Sequence, residues 1–357
     1  MRPESLAFLK TLLDSPGPSS FEVAPARVWR AEAAKVTADV DVDVSGNSFA
    51  TLCRGGAPRV MFAGHIDEIG VIVSHIDESG YLSFDGVGGW DSQVFIGQRI
   101  QLLTKSGIVT GVIGKKAIHL MSPDDRKKVS MIDDLWIDIG ATSREEAAAR
   151  VRVGDPGVLA VQAIELPNGR LSSRALDNRL GAYVVLEALR LLAADATPVP
   201  VQVTAVATTR EEIAYGGGGA RPSAYALQAD AAIVVDVTHA TDYPGIDKRK
   251  DGDYVLGGGP VIARGASVSA VLAEQLIEAA EAENIPYRIE AAGRDTFTDA
   301  EAIFNARSGV ATALVSIPLR YMHSPNELCQ LDDVQATARL LAAFVRRLAP
   351  GMDFIPR

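Results

Sequence analysis

The chain predicts an α/β domain interrupted by an inserted all-β unit, and three observations lead there. Helical periodicity and buried, β-branched runs alternate in the first 69 residues and again after Ser172. Between Gly70 and about Pro167 the pattern becomes a series of short alternating strands broken by glycine turns, the signature of a small barrel or sandwich. The length, 357 residues at 47% hydrophobic and 22% charged, suffices for one large globular domain or two ordinary ones.

Each element follows from its local pattern. Residues 4–14 carry Leu6, Phe8, Leu9, Leu12 and Leu13 at helical spacing and stop at Ser15-Pro16-Gly17-Pro18. A second helix is expected from Ser19-Ser20-Phe21-Glu22, with a serine as its cap. Asp39–Val44 alternates like a half-buried strand, and Arg59–His65 reads as a buried one. In the inserted block, strands are expected at 71–76, 81–84, 99–103, 108–113, 135–139 and 157–161. Its one expected helix is Ser143–Val151, with Ser143 as cap and Glu145-Glu146 in the first turn. Leu176–Ala194 is a strongly apolar helix; strands follow at 201–209, 231–236 and 310–317, and helices near 217–227, 269–283, 298–307 and 332–348.

Composition excludes some functions. A net charge of -10 with no extended basic cluster argues against nucleic acid as a partner. No apolar stretch reaches the roughly 18–20 residues that span a bilayer, and the N-terminus reads as an amphipathic helix, not a signal peptide. Two cysteines without regular spacing, Cys53 and Cys329, suggest free thiols in a cytoplasmic protein, both as small core residues.

Chemistry concentrates where strands end. Glu211 and Glu212 are adjacent at the end of the apolar run Val201–Arg210, just before Tyr215 and the glycines 216–219. A solvated pair opening a loop is the plain reading; the chemical one has one carboxylate hold a metal while its neighbour holds the attacking water. His65-Ile-Asp67 closes a buried strand, so both side chains project to one face and Asp67 is placed to fix the second ring nitrogen of His65. Glu68 reads as a loop charge. Asp177 precedes the apolar helix, either as an N-cap or as a carboxylate able to bridge two cations from a rigid element. Asp236 ends an apolar strand, and His323 follows another, where open α/β sheets form their sites. Mixed imidazole and carboxylate donors favour zinc, cobalt or manganese over calcium or magnesium. His75 reads as structural, His119 as structural or as part of a loop reaching a pocket or partner subunit, and His239 as a neighbour of the site through Asp236. The glycines 216–219 read as backbone flexibility or close packing beside the site; Glu-Glu before them would repel phosphate.

With these residues in place, the chain resembles the dinuclear-metal aminopeptidases that include the tetrahedral aminopeptidases, some of whose members carry glutamyl- or deblocking-aminopeptidase names and, misleadingly, cellulase names. The motifs are Gly64-His65-Ile-Asp67-Glu68-Ile-Gly70, Leu176-Asp177-Asn178-Arg179-Leu-Gly181, Glu211-Glu212, Val235-Asp236-Val-Thr238 and Arg320-Tyr321-Met-His323-Ser324. The resemblance implies a mixed-sheet α/β metallopeptidase catalytic domain with helices on both faces, residues 1–69 and 168–357, interrupted by a β-barrel dimerisation domain, residues 70–167. It implies two divalent ions per subunit, zinc or cobalt first and then manganese. His65, Asp177 and Asp236 would hold one and Asp177, Glu212 and His323 the other, with Glu211 as general base and Asp67 orienting His65. It further implies peptide substrates with a free N-terminus and homo-oligomers, dimers assembling to a dodecamer. Two departures stand beside the site: Ile213-Ala214-Tyr215-Gly216 to Gly219 after the glutamate pair, and Asp295-Thr-Phe-Thr298-Asp299-Ala300. Both bear on specificity, with the pocket expected around 239–260 and 290–300. Two alternatives to an aminopeptidase use the same residues: an N-acyl amino acid deacylase or deblocking peptidase, and a non-catalytic assembly protein with a vestigial site.

Overall fold

The computed structural model describes residues 1–199, 201–213 and 217–357. Part of the expected glycine departure, Ala214 to Gly216, lies outside these. An eleven-stranded mixed sheet forms the frame. Its centre is parallel, in the order Gln202–Thr208, Arg59–His65, Ala231–His239, Ala311–Arg320. Antiparallel strands flank it: Val40–Val42 and Ser48–Leu52 on one side, Glu327–Gln330, Arg170–Ser173 and Ile164–Leu166 on the other. The central strands are buried along almost their whole length, as strands covered on both faces must be. Helices lie on both faces. Pro3–Asp14, Val23–Ala33, Leu176–Ala193 and Leu331–Arg346 share the larger core; Ala220–Leu227 and Asp299–Phe304 cover the other side.

Leu176–Ala193 explains its uniform apolarity: it sits between the sheet and the helix Leu331–Arg346 and is buried almost all round. It can lie close to the strand Arg59–His65 because glycines face each other there. A Cβ on Gly64 would stand 2.4 Å from the carbonyl carbon of Gly181. The Trp29 indole then donates to the Ala182 carbonyl at 2.7 Å, tying the second helix to the same contact.

The inserted block is a closed six-stranded barrel, with strand order Gly70–Ile76, Leu82–Val87, Leu135–Asp138, Gly107–Lys115, Arg99–Thr104, Pro156–Leu159. Its apolar residues alternate inward to a separate core around Phe84, Phe95, Ile100 and Ile137. Ser143 caps Arg144–Ala148 by accepting the Glu146 N–H, as its position predicts. Barrel strands end at Leu159, and Ile164–Leu166 already pairs with Arg170–Ser173 in the large sheet.

Several local expectations fail for identifiable reasons. The second helix starts at Val23 with no side-chain cap, because Ser19 and Glu22 are turned toward the site instead. Val42 and Val44 are exposed, since Val40–Val42 is a short edge strand. Cys53 is exposed on a left-handed turn, whereas Cys329 is buried as expected. Among the described residues, no helix is long and apolar enough to cross a membrane.

Candidate active site

Strand register brings His65 and Asp236 together. Ala63 pairs with Val234 on the adjacent parallel strand, and two further residues along each chain lead to His65 and Asp236. The His65 Nε2 lies 4.0 Å from Asp236 Oδ1 and 3.3 Å from Asp177 Oδ1. Asp177 is no helix cap: the first turn of its helix departs from helical geometry at Asp177 and Asn178, which turns the carboxylate inward. Asn178 holds this turn in place, donating to the Val235 carbonyl at 2.8 Å and accepting the Gly181 N–H at 2.9 Å. The second oxygen of Asp177 is 3.3 Å from His323 Nε2, which is also 3.3 Å from Glu212 Oε2. Two donor groups therefore share Asp177, one of His65, Asp177 and Asp236 and one of Asp177, Glu212 and His323, and within each the ligand atoms lie within 4.8 Å of one another. Glu211 stands outside both groups, its Oε2 3.7 Å from His65 Nε2.

Asp67 is fully buried and has more partners than its spacing suggested. Its Oδ1 is 3.3 Å from His65 Nδ1, within ion-pair reach though not aligned as a hydrogen bond. The same carboxylate accepts the backbone N–H groups of both Glu211 and Glu212, each at 3.2 Å, and the Ser19 hydroxyl at 2.6 Å. Glu22 continues this support by accepting the Arg210 N–H at 3.1 Å. Arg210 has a φ of 62°, an uncommon left-handed conformation for a non-glycine residue, just before the glutamate pair. Glu68 is not a loop charge but a buried one, paired with Arg174 and, at 2.8 Å, with Arg179.

The electrostatics follow from crowding carboxylates around two imidazoles. Burial pushes Glu211 and Asp236 well above the ordinary carboxylate range, with neighbouring carboxylates adding to the effect and His65 opposing it. Burial also pushes Asp177 upward, but its hydrogen bonds with His323 and His65 win and hold it below its usual value. Glu212 Oε1 is buried with no hydrogen-bond partner among the described residues. Such a donor set, carboxylate-rich, mutually repelling and partly unsatisfied, fits divalent cations.

A cleft of about 790 Å³ opens over Glu211, Glu212 and His323 and is lined by Asp295, Phe297, Thr298, Asp299 and Arg221 among others. Of the two segments expected to line the pocket, 290–300 does so and 239–260 does not. Asp299 is buried beneath the cleft, accepts the Thr208 hydroxyl at 2.6 Å and is pushed by burial to about 6. The glycine run packs closely, as expected for the part described: a Cβ on Gly219 would fall 1.9 Å from Asn47 Oδ1. His75 and His119 are exposed on the barrel, and His239 is exposed at the end of the strand that bears Asp236. Sequence reasoning missed Ser19, Glu22 and Glu327, all buried; their spacing is that of ordinary helix-cap and strand-start residues.

Known proteins resemble the chain over nearly its whole length. A model of the family described as M42 glutamyl aminopeptidase matches residues 46–340. The lysyl aminopeptidase of Pyrococcus furiosus is 38% identical over 354 residues, 98% of each chain. The crystal structure of a TET aminopeptidase from the marine sediment archaeon Thaumarchaeota archaeon SCGC AB-539-E09 superposes with a TM-score of 0.92 at 36% identity, covering 97% of both chains. The TET1 peptidase of Pyrococcus horikoshii, which can assemble into a tetrahedron or a large octahedral shell, gives 0.82 at 32% identity, covering 96% of this chain and all of that one. The chain belongs to the M42 glutamyl aminopeptidase family, a family of aminopeptidases.

Proposed function

We propose that the chain is a two-metal aminopeptidase that removes N-terminal residues from peptides. The observation that carries the reading is the pair of donor groups sharing Asp177, with Glu211 in neither and its Oε2 3.7 Å from His65 Nε2. His65, Asp177 and Asp236 would hold one divalent ion and Asp177, Glu212 and His323 the other. Zinc or cobalt suits these nitrogen and oxygen donors first, then manganese. When bound, such a pair lowers the pKa of water and polarises the scissile carbonyl.

The chain's own residues do the rest. Glu211 takes the proton of the attacking water at its free carboxylate oxygen and delivers it to the leaving amine. Asp67 orients His65 and holds the backbone beneath Glu211 and Glu212. The free α-amino group of the substrate meets carboxylates at the cleft mouth, which favours a cationic terminus over a blocked one. Residues 1–69 and 168–357 form the catalytic unit in this reading, and the barrel within 70–167 is the dimerisation unit of a cytoplasmic homo-oligomer, up to a dodecamer. The assembly of the Pyrococcus horikoshii relative into a tetrahedron or a large octahedral shell supports the homo-oligomer.

The test is a panel of free and N-blocked amino-acyl anilides run on protein loaded with zinc, cobalt or manganese, with metal content measured in parallel. Two ions per chain and turnover of free termini alone are expected. Turnover of blocked substrates, or activity unchanged after metal removal, would refute the reading.

A further inference from the structure

Glu327 is buried, forms no ion pair among the described residues, and takes no part in the chemistry described above. It opens the strand Glu327–Gln330, which lies between two others. On one side Ala311–Arg320 leads into the loop bearing His323; on the other Arg170–Ser173 leads into the turn bearing Asp177. The side chain reaches both. Its Oε1 accepts the His323 N–H at 2.9 Å, and its Oε2 accepts the Asp177 N–H at 3.0 Å. Both donors lie where the backbone leaves regular structure: His323 is left-handed with a φ of 58°, and Asp177 departs from the geometry of its own helix.

We infer that Glu327 is a positioning residue that fixes the separation of Asp177 and His323, and so sets the affinity of the second ion. This rests on the two-ion reading proposed above. Each oxygen serves one donor, so the position needs two acceptors. A glutamine has one: whichever way its amide turns, an NH2 group faces a backbone N–H. The isosteric change should therefore fail where a shorter carboxylate partly succeeds.

The experiment is a stepwise cobalt titration of the metal-free full chain followed by visible absorption, with His323→Ala marking the spectrum of the second ion. In Glu327→Gln the dissociation constant of that ion should rise about 10- to 100-fold, the range seen when residues that hold metal ligands in place are altered. The ion at His65 and Asp236 should move much less, a difference that a general loss of stability would not produce. Glu327→Asp should fall between the wild type and Glu327→Gln. Circular dichroism of each metal-free variant checks folding. If Glu327→Gln does not fold, Glu327→Asp is compared with the wild type alone, and an unchanged second ion overturns the inference. The inference is also overturned if Glu327→Gln binds both ions as the wild type does, or if Glu327→Asp binds more weakly than Glu327→Gln. A wild type that binds fewer than two ions overturns the two-ion reading and this inference together.

Discussion

His65 and Asp236 are held by the sheet, whereas Glu211, Glu212 and His323 are held by loops. The first pair ends neighbouring parallel core strands, and the His65 side chain is only 2% exposed. The His323 side chain is 34% exposed and its backbone is left-handed. What replaces strand register in the loop half is a set of buried carboxylates accepting backbone N–H groups: Asp67 under Glu211 and Glu212, Glu22 under Arg210, Glu327 under Asp177 and His323. A site can thus be built half from a ladder and half from isolated acceptors. The two halves should fail differently, the sheet half through stability and the loop half through function at nearly constant stability.

Asp177 is where the halves meet, so its loss should cost most. Asp177→Ala removes a ligand from both donor groups. Metal content should fall below one ion per chain and turnover to the detection floor. Two ions retained in that variant would mean that the halves do not share a ligand. Glu211→Gln comes next. It should lower kcat by about 10²- to 10⁴-fold while leaving metal content at the wild-type level, since Glu211 belongs to neither group. Near-normal turnover on amino-acyl anilides would take the base role from Glu211.

The contrast also explains what was legible beforehand. His65, Asp67, Glu211, Glu212, Asp236 and His323 could be read because apolar runs end at or just before them, and Asp177 because an apolar helix begins at it; a core strand that stops at a charge seldom does so for packing reasons alone. The barrel could be read because its strands alternate around a core of their own. Glu22 and Glu327 could not. A glutamate after Ser-Ser-Phe looks like a helix start, and one after Ser-Pro-Asn looks like a turn; only the tertiary fold shows that both point inward at strained backbone. Glu68 was misread for the same reason, its partners Arg174 and Arg179 lying over a hundred positions away in sequence. Short strands such as Ser48–Leu52 and Glu327–Gln330 escaped because they are buried at successive positions, polar residues included, and so show no alternation of polar and apolar residues.

Asp67 sharpens the comparison, since it serves both halves. Asp67→Asn keeps the shape but turns an amide NH2 toward one of two pairs of neighbours, His65 and the N–H of Glu211 at Oδ1 or the N–H of Glu212 and the Ser19 hydroxyl at Oδ2. The expected result is a kcat lower by about 10- to 100-fold with KM little changed. A stability loss of about 1–3 kcal/mol should accompany it, because a buried donor loses its acceptor. Denaturant unfolding and steady-state kinetics on the same preparation separate the two effects. A fall in stability without a fall in kcat would place Asp67 in the frame and not in the site.

Glu22 isolates the loop half alone; its effect on turnover should be the smallest, and its effect on stability the most dependent on pH. One oxygen, Oε1, accepts both the Ser20 and the Arg210 N–H, so a glutamine can keep both bonds. Burial first, and then the nearby Asp67 charge, push the Glu22 carboxyl from 4.5 up to about 7. A folded-state value above the unfolded one means the folded chain prefers the protonated acid. The resulting stability is present in full below about pH 4.5 and lost as pH rises through 7. Glutamine, neutral at every pH, does not lose it. In metal-free protein the unfolding midpoint of Glu22→Gln should therefore match the wild type near pH 4.5 and exceed it at pH 8. The gap corresponds to at most about 3 kcal/mol, from a shift of that size at 1.36 kcal/mol per pH unit. The two curves running parallel from pH 4.5 to 8 would show that Glu22 is ionised throughout. The strained step before Glu211 would then rest on a charged acceptor, as it does at Asp67, and the loop half would be held by charge as well as by hydrogen bonds.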